Sequence, residues 1–151
     1  AILNALHCPF IINQNRYSIF DRTIENNGLK KTAGELGKGI IAFSPLAQGL
    51  LTDRYLNGVP ADSRIVTDGR FLRENVLTEQ KLDQIRKLDE LAKKRGQTLA
   101  QMALSWVLRD GTVNSVLVGA SKPEQLLDNI KACENTSFTE EELELIDRIS
   151  L

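Results

Sequence analysis

Short apolar runs alternate with amphipathic segments along the whole chain. Residues 10–14, Phe-Ile-Ile-Asn-Gln, form an apolar run ending in polar residues. They read as a buried strand whose C-terminal end reaches a site. Residues 22–36 predict a poor helix interrupted by Gly28 and Gly34 and stopped at Gly37 or Gly39. Residues 40–43 predict a second strand. Residues 44–77 keep no clean period, and a stretch that long without one suggests a functional loop or lid. Thr78 then caps a helix with Leu82, Ile85, Leu88 and Leu91 on one side. Thr98 and Gln101 have the spacing of a capping box. They open a helix that puts Leu99, Met102, Ala103, Trp106 and Val107 on one face and stops at Asp110-Gly111. Residues 115–119 predict the third strand. Ser121 with Glu124, and Thr139 with Glu142, predict two more capping boxes. The helices they open carry Leu126, Leu127 and Ile130, then Leu143, Ile146 and Ile149. Residues 1–6 read as the end of a helix.

Three strands alternating with helices imply parallel βα units. A Rossmann-like layer and part of a barrel fit that alternation equally well, although no G-x-G-x-x-G follows any strand. The 151 residues suffice for one domain with a real core. A hydrophobic content of 42% with 26% charged residues reads as a soluble globular chain. The net charge of −1 argues against nucleic-acid or acidic-membrane binding. No apolar run has the length of a membrane span, and no signal peptide is evident. Cys8 and Cys133 read as structural thiols of a reducing cytoplasm. No metal-ligand cluster, Ser/His/Asp arrangement or paired carboxylates stand out.

The densest chemistry lies in residues 39–51, GIIAFSPLAQGLL. Pro45 cannot join a ladder and drives Ser44 out of the helical region. The strand therefore ends in a small hydroxyl and open backbone amides, at the end of parallel strands where ligands sit. An aromatic ring before those amides suits a ligand with a flat face and a phosphate. Gly119 and Ser121 form a second cluster, where a strand passes directly into a helix N-terminus that attracts phosphate. Gln125 and Asn129 lie one turn apart on that helix.

Residues 39–51 resemble the seventh-strand motif of the aldo-keto reductases. The likeness is strongest to the branch with potassium-channel β subunits and bacterial glyceraldehyde-3-phosphate reductases. It continues through Ser63-Arg64, residues 97–106 (QTLAQMALSW) and residues 115–129 (SVLVGASKPEQLLDN). The resemblance implies a (β/α)8 TIM barrel, of which this chain would be the C-terminal part, strands six to eight with their helices. Such a barrel needs about 250 residues, so a cofactor-binding half without its N-terminal catalytic half is expected.

Further implications follow from the same resemblance. The intact protein would be a cytoplasmic oxidoreductase that reduces small aldehydes or ketones with NADPH. Gln14 would bond the nicotinamide carboxamide, and Phe43 would stack on its ring. Ser44, Leu46, Gln48, Gly49 and Leu50 would embrace the pyrophosphate, with Arg54 and Arg64 gripping phosphate. Gly119, Ser121, Lys122, Gln125, Asp128 and Asn129 would take the adenosine end and its 2′-phosphate. The family's proton-donating Tyr, with its Lys, Asp and His, comes from earlier strands, so no catalytic residue is expected here and inactivity alone is. Severed sheet edges would favour self-association. The alternative is a non-catalytic nucleotide-binding or partner-binding module resembling a channel β subunit.

Overall fold

The computed structural model of the chain describes residues 2–56 and 77–151. Three strands, β1 (Ile12–Arg16), β2 (Gly39–Phe43) and β3 (Val113–Leu117), form a parallel sheet in the order β1-β2-β3. Register runs from Ile12 opposite Gly39 to Arg16 opposite Phe43. Against β3, Ile41 faces Ser115 and Phe43 faces Leu117.

β1 begins two residues later than the apolar run suggests. Ile11 contributes only its carbonyl, which accepts from Gly39 N–H at 2.9 Å. The polar residues 13–16 enter the ladder because backbone pairing is indifferent to side-chain polarity. β3 begins two residues earlier than expected. Its register slips between Ile40 and Ile41, where Asn114 is the extra residue. Asn114 Oδ1 accepts the Ile40 N–H at 3.0 Å, so a side chain replaces a ladder bond.

Helices follow in the order α1 (Ile2–Ala5), α2 (Thr23–Asn26), α3 (Leu29–Glu35), α4 (Glu79–Lys94), α5 (Leu99–Leu108), α6 (Pro123–Ile130) and α7 (Glu140–Ser150). The poor helix of residues 22–36 is in fact two, α2 and α3, separated at Gly28 with φ +76°. Gly34 stays inside α3. Thr78 caps α4 by accepting from Lys81 N–H at 3.1 Å. The Thr98–Gln101 and Thr139–Glu142 boxes both form as the spacing indicates. No described helix is long and apolar enough to cross a membrane.

The helices cover one face of the sheet. Ile40, Ala42 and Val113 are buried there against Ile85, Leu88, Leu91, Leu99, Met102, Ala103, Trp106, Val107 and Ile146. The alternate residues lie on the other face, because strand side chains alternate. There Gln14, Ile41 and Ser115 share a row, and so do Arg16, Phe43 and Leu117. No described residue buries this face. β1 is therefore exposed to half-buried throughout, not the buried strand its apolar start suggested. Cys8 and Cys133 are both free thiols, and both are exposed.

Candidate functional site

The chain leaves β2 through a loop with unusual backbone. Ser44, Ala47 and Gln48 have φ of +53°, +47° and +60°, and Gly49 has +99°. Non-glycine residues in this region cost on the order of 1–3 kcal/mol each, and such strain clusters at ligand sites. Two short 3-10 turns, Ala47–Gly49 and Asp53–Tyr55, follow. Thr52 binds them together: its Oγ1 donates to Gly49 O at 2.7 Å and accepts from Arg54 N–H at 3.3 Å.

This loop forms one wall of a cleft of about 1040 Å³ at the C-terminal ends of β2 and β3. The opposite wall is the passage from β3 into α6, residues 117–122, with Gln125, Asp128 and Asn129. Of the residues singled out from sequence, the cleft gathers Ser44, Leu46, Gln48, Gly49, Arg54, Gly119, Ser121, Lys122, Gln125, Asp128 and Asn129. Leu50 lies behind it, buried in the core. Gln14 and Phe43 lie on the open sheet face, one row apart, outside the cleft lining. Arg64 lies outside the described residues. Thr52, Asp53, Tyr55, Ala100, Leu117 and Val118 also line the cleft and were not anticipated. Thr-Asp-Arg at 52–54 did carry a signal, a hydroxyl capping a turn, within a stretch that otherwise has no period.

The start of α6 corrects the expected capping box. The N-cap is Lys122, with Pro123 as the first helical residue, so Ser121 and Glu124 do not pair. Gln125 folds back instead. Its Oε1 accepts from Ser121 N–H at 2.9 Å, from the Ser121 hydroxyl at 3.1 Å and from Lys122 N–H at 3.2 Å. Pro at the first position forces this arrangement: it supplies no N–H and fixes φ, which moves the cap one residue on. The amides expected to meet a phosphate thus already hold an internal acceptor.

Displaced pKa values mark a different place, on the helix-covered side. Burial raises the Tyr17 phenol well above the ordinary value, although Arg109 opposes it. Burial would also raise Glu25, yet hydrogen bonds from Tyr17 and Arg109 and the charges of Arg22 and Arg109 hold it below 4.5. At Asp110 burial is likewise outweighed, by the Lys30 hydrogen bond, the Thr112 N–H and nearby positive charge. This cluster joins β1's exit to α5 and takes no part in the cleft.

The whole chain, residues 1–151, matches the family model described as "Aldo/keto reductase family". The chain belongs to the aldo/keto reductase family. It is 49% identical over 150 residues to the L-glyceraldehyde 3-phosphate reductase of Escherichia coli O157:H7, covering 97% of this chain and 43% of that protein. It is 35% identical over 143 residues to a putative voltage-gated potassium channel subunit beta of Schizosaccharomyces pombe, covering 92% of this chain and 42% of that protein. Among solved structures, the glycerol dehydrogenase of Gluconobacter oxydans superposes with a TM-score of 0.73 at 31% identity, covering 91% of this chain and 41% of that one. The chain thus spans less than half the length of these relatives. Its three parallel βα units are an arc of the aldo-keto reductase (β/α)8 barrel.

Proposed function

We propose that this chain is the dinucleotide-holding part of a cytoplasmic, NADPH-dependent reductase of small aldehydes or ketones. The observation that carries the proposal is the convergence of two segments far apart in sequence, 44–55 and 117–129, on one cleft at the C-terminal ends of the strands. The residues present fit a dinucleotide. Gln48 Oε1 is buried without a hydrogen-bond partner and faces a need for a donor. The positive-φ loop sets Ser44, Gln48 and Gly49 on the cleft wall, although the Ala47, Gly49, Leu50 and Leu51 amides are bonded within the loop.

In this reading Ser44, Leu46, Gln48 and Gly49 hold the pyrophosphate against Leu50. Arg54, Arg64 and Lys122 meet phosphate charge. Ser121, Gln125 and Asn129 orient the adenosine end, and Gln125 swings off the Ser121 and Lys122 amides to release them. Gln14 and Phe43 orient the nicotinamide on the open face. The bound cofactor supplies hydride to a carbonyl carbon. In this reading the proton donor comes from the family's earlier strands, and neither Tyr17 nor Tyr55 takes its place. The chain alone therefore turns over no carbonyl substrate, since general acid catalysis contributes about 10²–10⁴-fold. Self-association through the uncovered sheet face belongs to the same proposal.

Calorimetric titration of the chain with NADPH and NADH tests this. NADPH is expected to bind more tightly, and Ser121→Ala to weaken NADPH more than NADH. Equal affinities, or no binding of either, would refute the assignment. Binding combined with no turnover even after pairing with the remainder of a family barrel would favour a nucleotide-binding module.

A further inference from the structure

α6 is a weakly held wall. None of its residues is buried, and Leu126, Leu127 and Ile130 are 45%, 64% and 58% exposed. Hydrophobic packing therefore does little to fix the helix that carries Gln125 and Asn129 into the cleft. Polar contacts from α5 hold it. Gln101 and Ser105 are buried one turn apart on this otherwise apolar helix, and Gln97, just before its N-cap, is buried with them. All three donate to the segment that includes and follows α6. Gln97 Nε2 donates to Asn135 O at 3.1 Å, and Ser105 Oγ donates to Ala132 O at 2.7 Å. Gln101 Nε2 donates to Asp128 Oδ1 at 2.7 Å and to Asp128 O at 3.3 Å.

The Asp128 carboxylate is committed at both oxygens, since Thr98 Oγ1 donates to Oδ2 at 3.3 Å. Gln101 is committed too: its Oε1 accepts the Thr98 N–H at 3.1 Å and its own N–H goes to Thr98 Oγ1. One glutamine thus caps α5 and latches α6, and Gln101 itself does not line the cleft. Asp128 does line it, but its carboxylate is turned to the latch.

We propose that Asp128 is a positioning residue that acts through Gln101, setting the register of α6 against α5 and so the placing of Gln125 and Asn129, and that it makes no ligand contact of its own. The inference rests on the reading of the cleft as a dinucleotide site. An amide–carboxylate latch can be tested by exchanging its donor and acceptor. Gln101→Glu keeps an acceptor for the cap, a residue that position favours, but removes the donor and sets two carboxylates face to face. Asp128→Asn keeps an acceptor for Gln101. The two together exchange the roles and restore a hydrogen bond.

The experiment measures NADPH affinity by calorimetry and amide exchange across α6 for the chain and these three variants. Gln101→Glu is expected to weaken NADPH by about tenfold, the scale of coupling between hydrogen-bonded partners, and to speed exchange in α6. Asp128→Asn stays within about twofold of the parent. The double variant recovers both affinity and protection. A Gln101→Glu variant that binds like the parent shows that the latch does not set the site, and an Asp128→Asn loss that the double variant does not recover makes Asp128 a direct contact; either overturns the proposal. If the parent binds no NADPH, the site reading fails by itself. Exchange then decides the latch: unchanged α6 protection in Gln101→Glu overturns it, and loss with recovery in the pair upholds it.

Discussion

Tyr17 packs on Trp106 with ring centroids 5.1 Å apart and planes tilted by 37°. Arg22 and Arg109 place their guanidinium groups over the same indole, at 4.2 and 3.8 Å from its centre. The Tyr17 hydroxyl donates to Glu25 Oε1 and accepts from Arg109 Nη1 at 3.0 Å and Lys30 Nζ at 3.2 Å. One phenol therefore joins the exit of β1 to α2, α3 and the end of α5. Tyr17→Phe keeps the ring and removes the hub. We expect a loss of about 1–3 kcal/mol, the cost of leaving buried partners unmatched. Urea unfolding followed by the fluorescence of Trp106, the sole tryptophan, gives the value. A loss under about 0.5 kcal/mol would mean that water replaces the hydroxyl without cost.

The same cluster sets the acid limb of stability. Glu25 and Asp110 have depressed pKa values when folded. A depressed carboxylate contributes stability that is present above its unfolded value and lost as pH falls through the folded one. Here the loss begins below pH 4.5 for Glu25 and 3.8 for Asp110. Thermal unfolding across that window should show a steep fall in the parent. Glu25→Gln should be less stable near neutrality, because Arg22 and Arg109 lose their partner, and should fall less steeply below pH 4.5. Equal slopes in the two proteins would contradict this.

The sequence exposed the helices far better than the sheet. Thr78, Thr98 and Thr139 announce their helices because a cap is a local device, complete within four residues. The apolar faces of α4 and α5 follow from helical spacing alone. The two-residue offsets of β1 and β3 were not legible, because register depends on the partner strand and on the Asn114 bulge. The cleft was legible through motifs at its rim, Ser44 to Gly49 and Gly119 to Asn129, which the family resemblance joined. The Pro123 shift of the cap and the Gln97–Gln101–Ser105 stripe were hidden behind good local signals. The stripe could have been found: Gln101 and Ser105 interrupt an apolar helix one turn apart, Gln97 stands just before its cap, and buried polar groups require partners.

Two glycines of the cleft should separate backbone strain from ligand approach. Gly49 has φ +99°, so Gly49→Ala forces a side chain into the left-handed region at a cost of about 1–2 kcal/mol. The added Cβ meets only Tyr55, at an ordinary 3.7 Å, so the backbone sets the cost. A Cβ at Gly119 meets nothing within 4 Å, and its φ is not positive. Gly119→Ala should leave stability within about 0.5 kcal/mol of the parent yet weaken NADPH binding if the ligand backbone passes close. Chemical unfolding and calorimetry on both variants give the four numbers. A Gly119→Ala variant with undiminished NADPH affinity would remove that residue from the site.

The sheet face that no described residue covers should drive self-association. Parallel sheets are ordinarily covered on both faces, and here helices cover one. The open face presents Ile12, Ile41, Phe43 and Leu117, with Ile12 and Leu117 each nearly half exposed. The edges are less inviting than the face. β1 carries Asn13, Gln14, Asn15 and Arg16, and β3 is bulged at Asn114, both devices that discourage strand addition. Arg16 also lies over Phe43 at 5.8 Å, which shields part of that ring. Association should therefore proceed face to face and not edge to edge, and should depend on Leu117, whose side chain stands at the C-terminal rim of the face. Sedimentation velocity at micromolar concentration is expected to show a dimer or larger species, and Leu117→Lys to shift it toward monomer with little loss of stability. A parent chain that stays monomeric throughout that range, with slowly exchanging amides in all three strands, would show that the open face needs no cover.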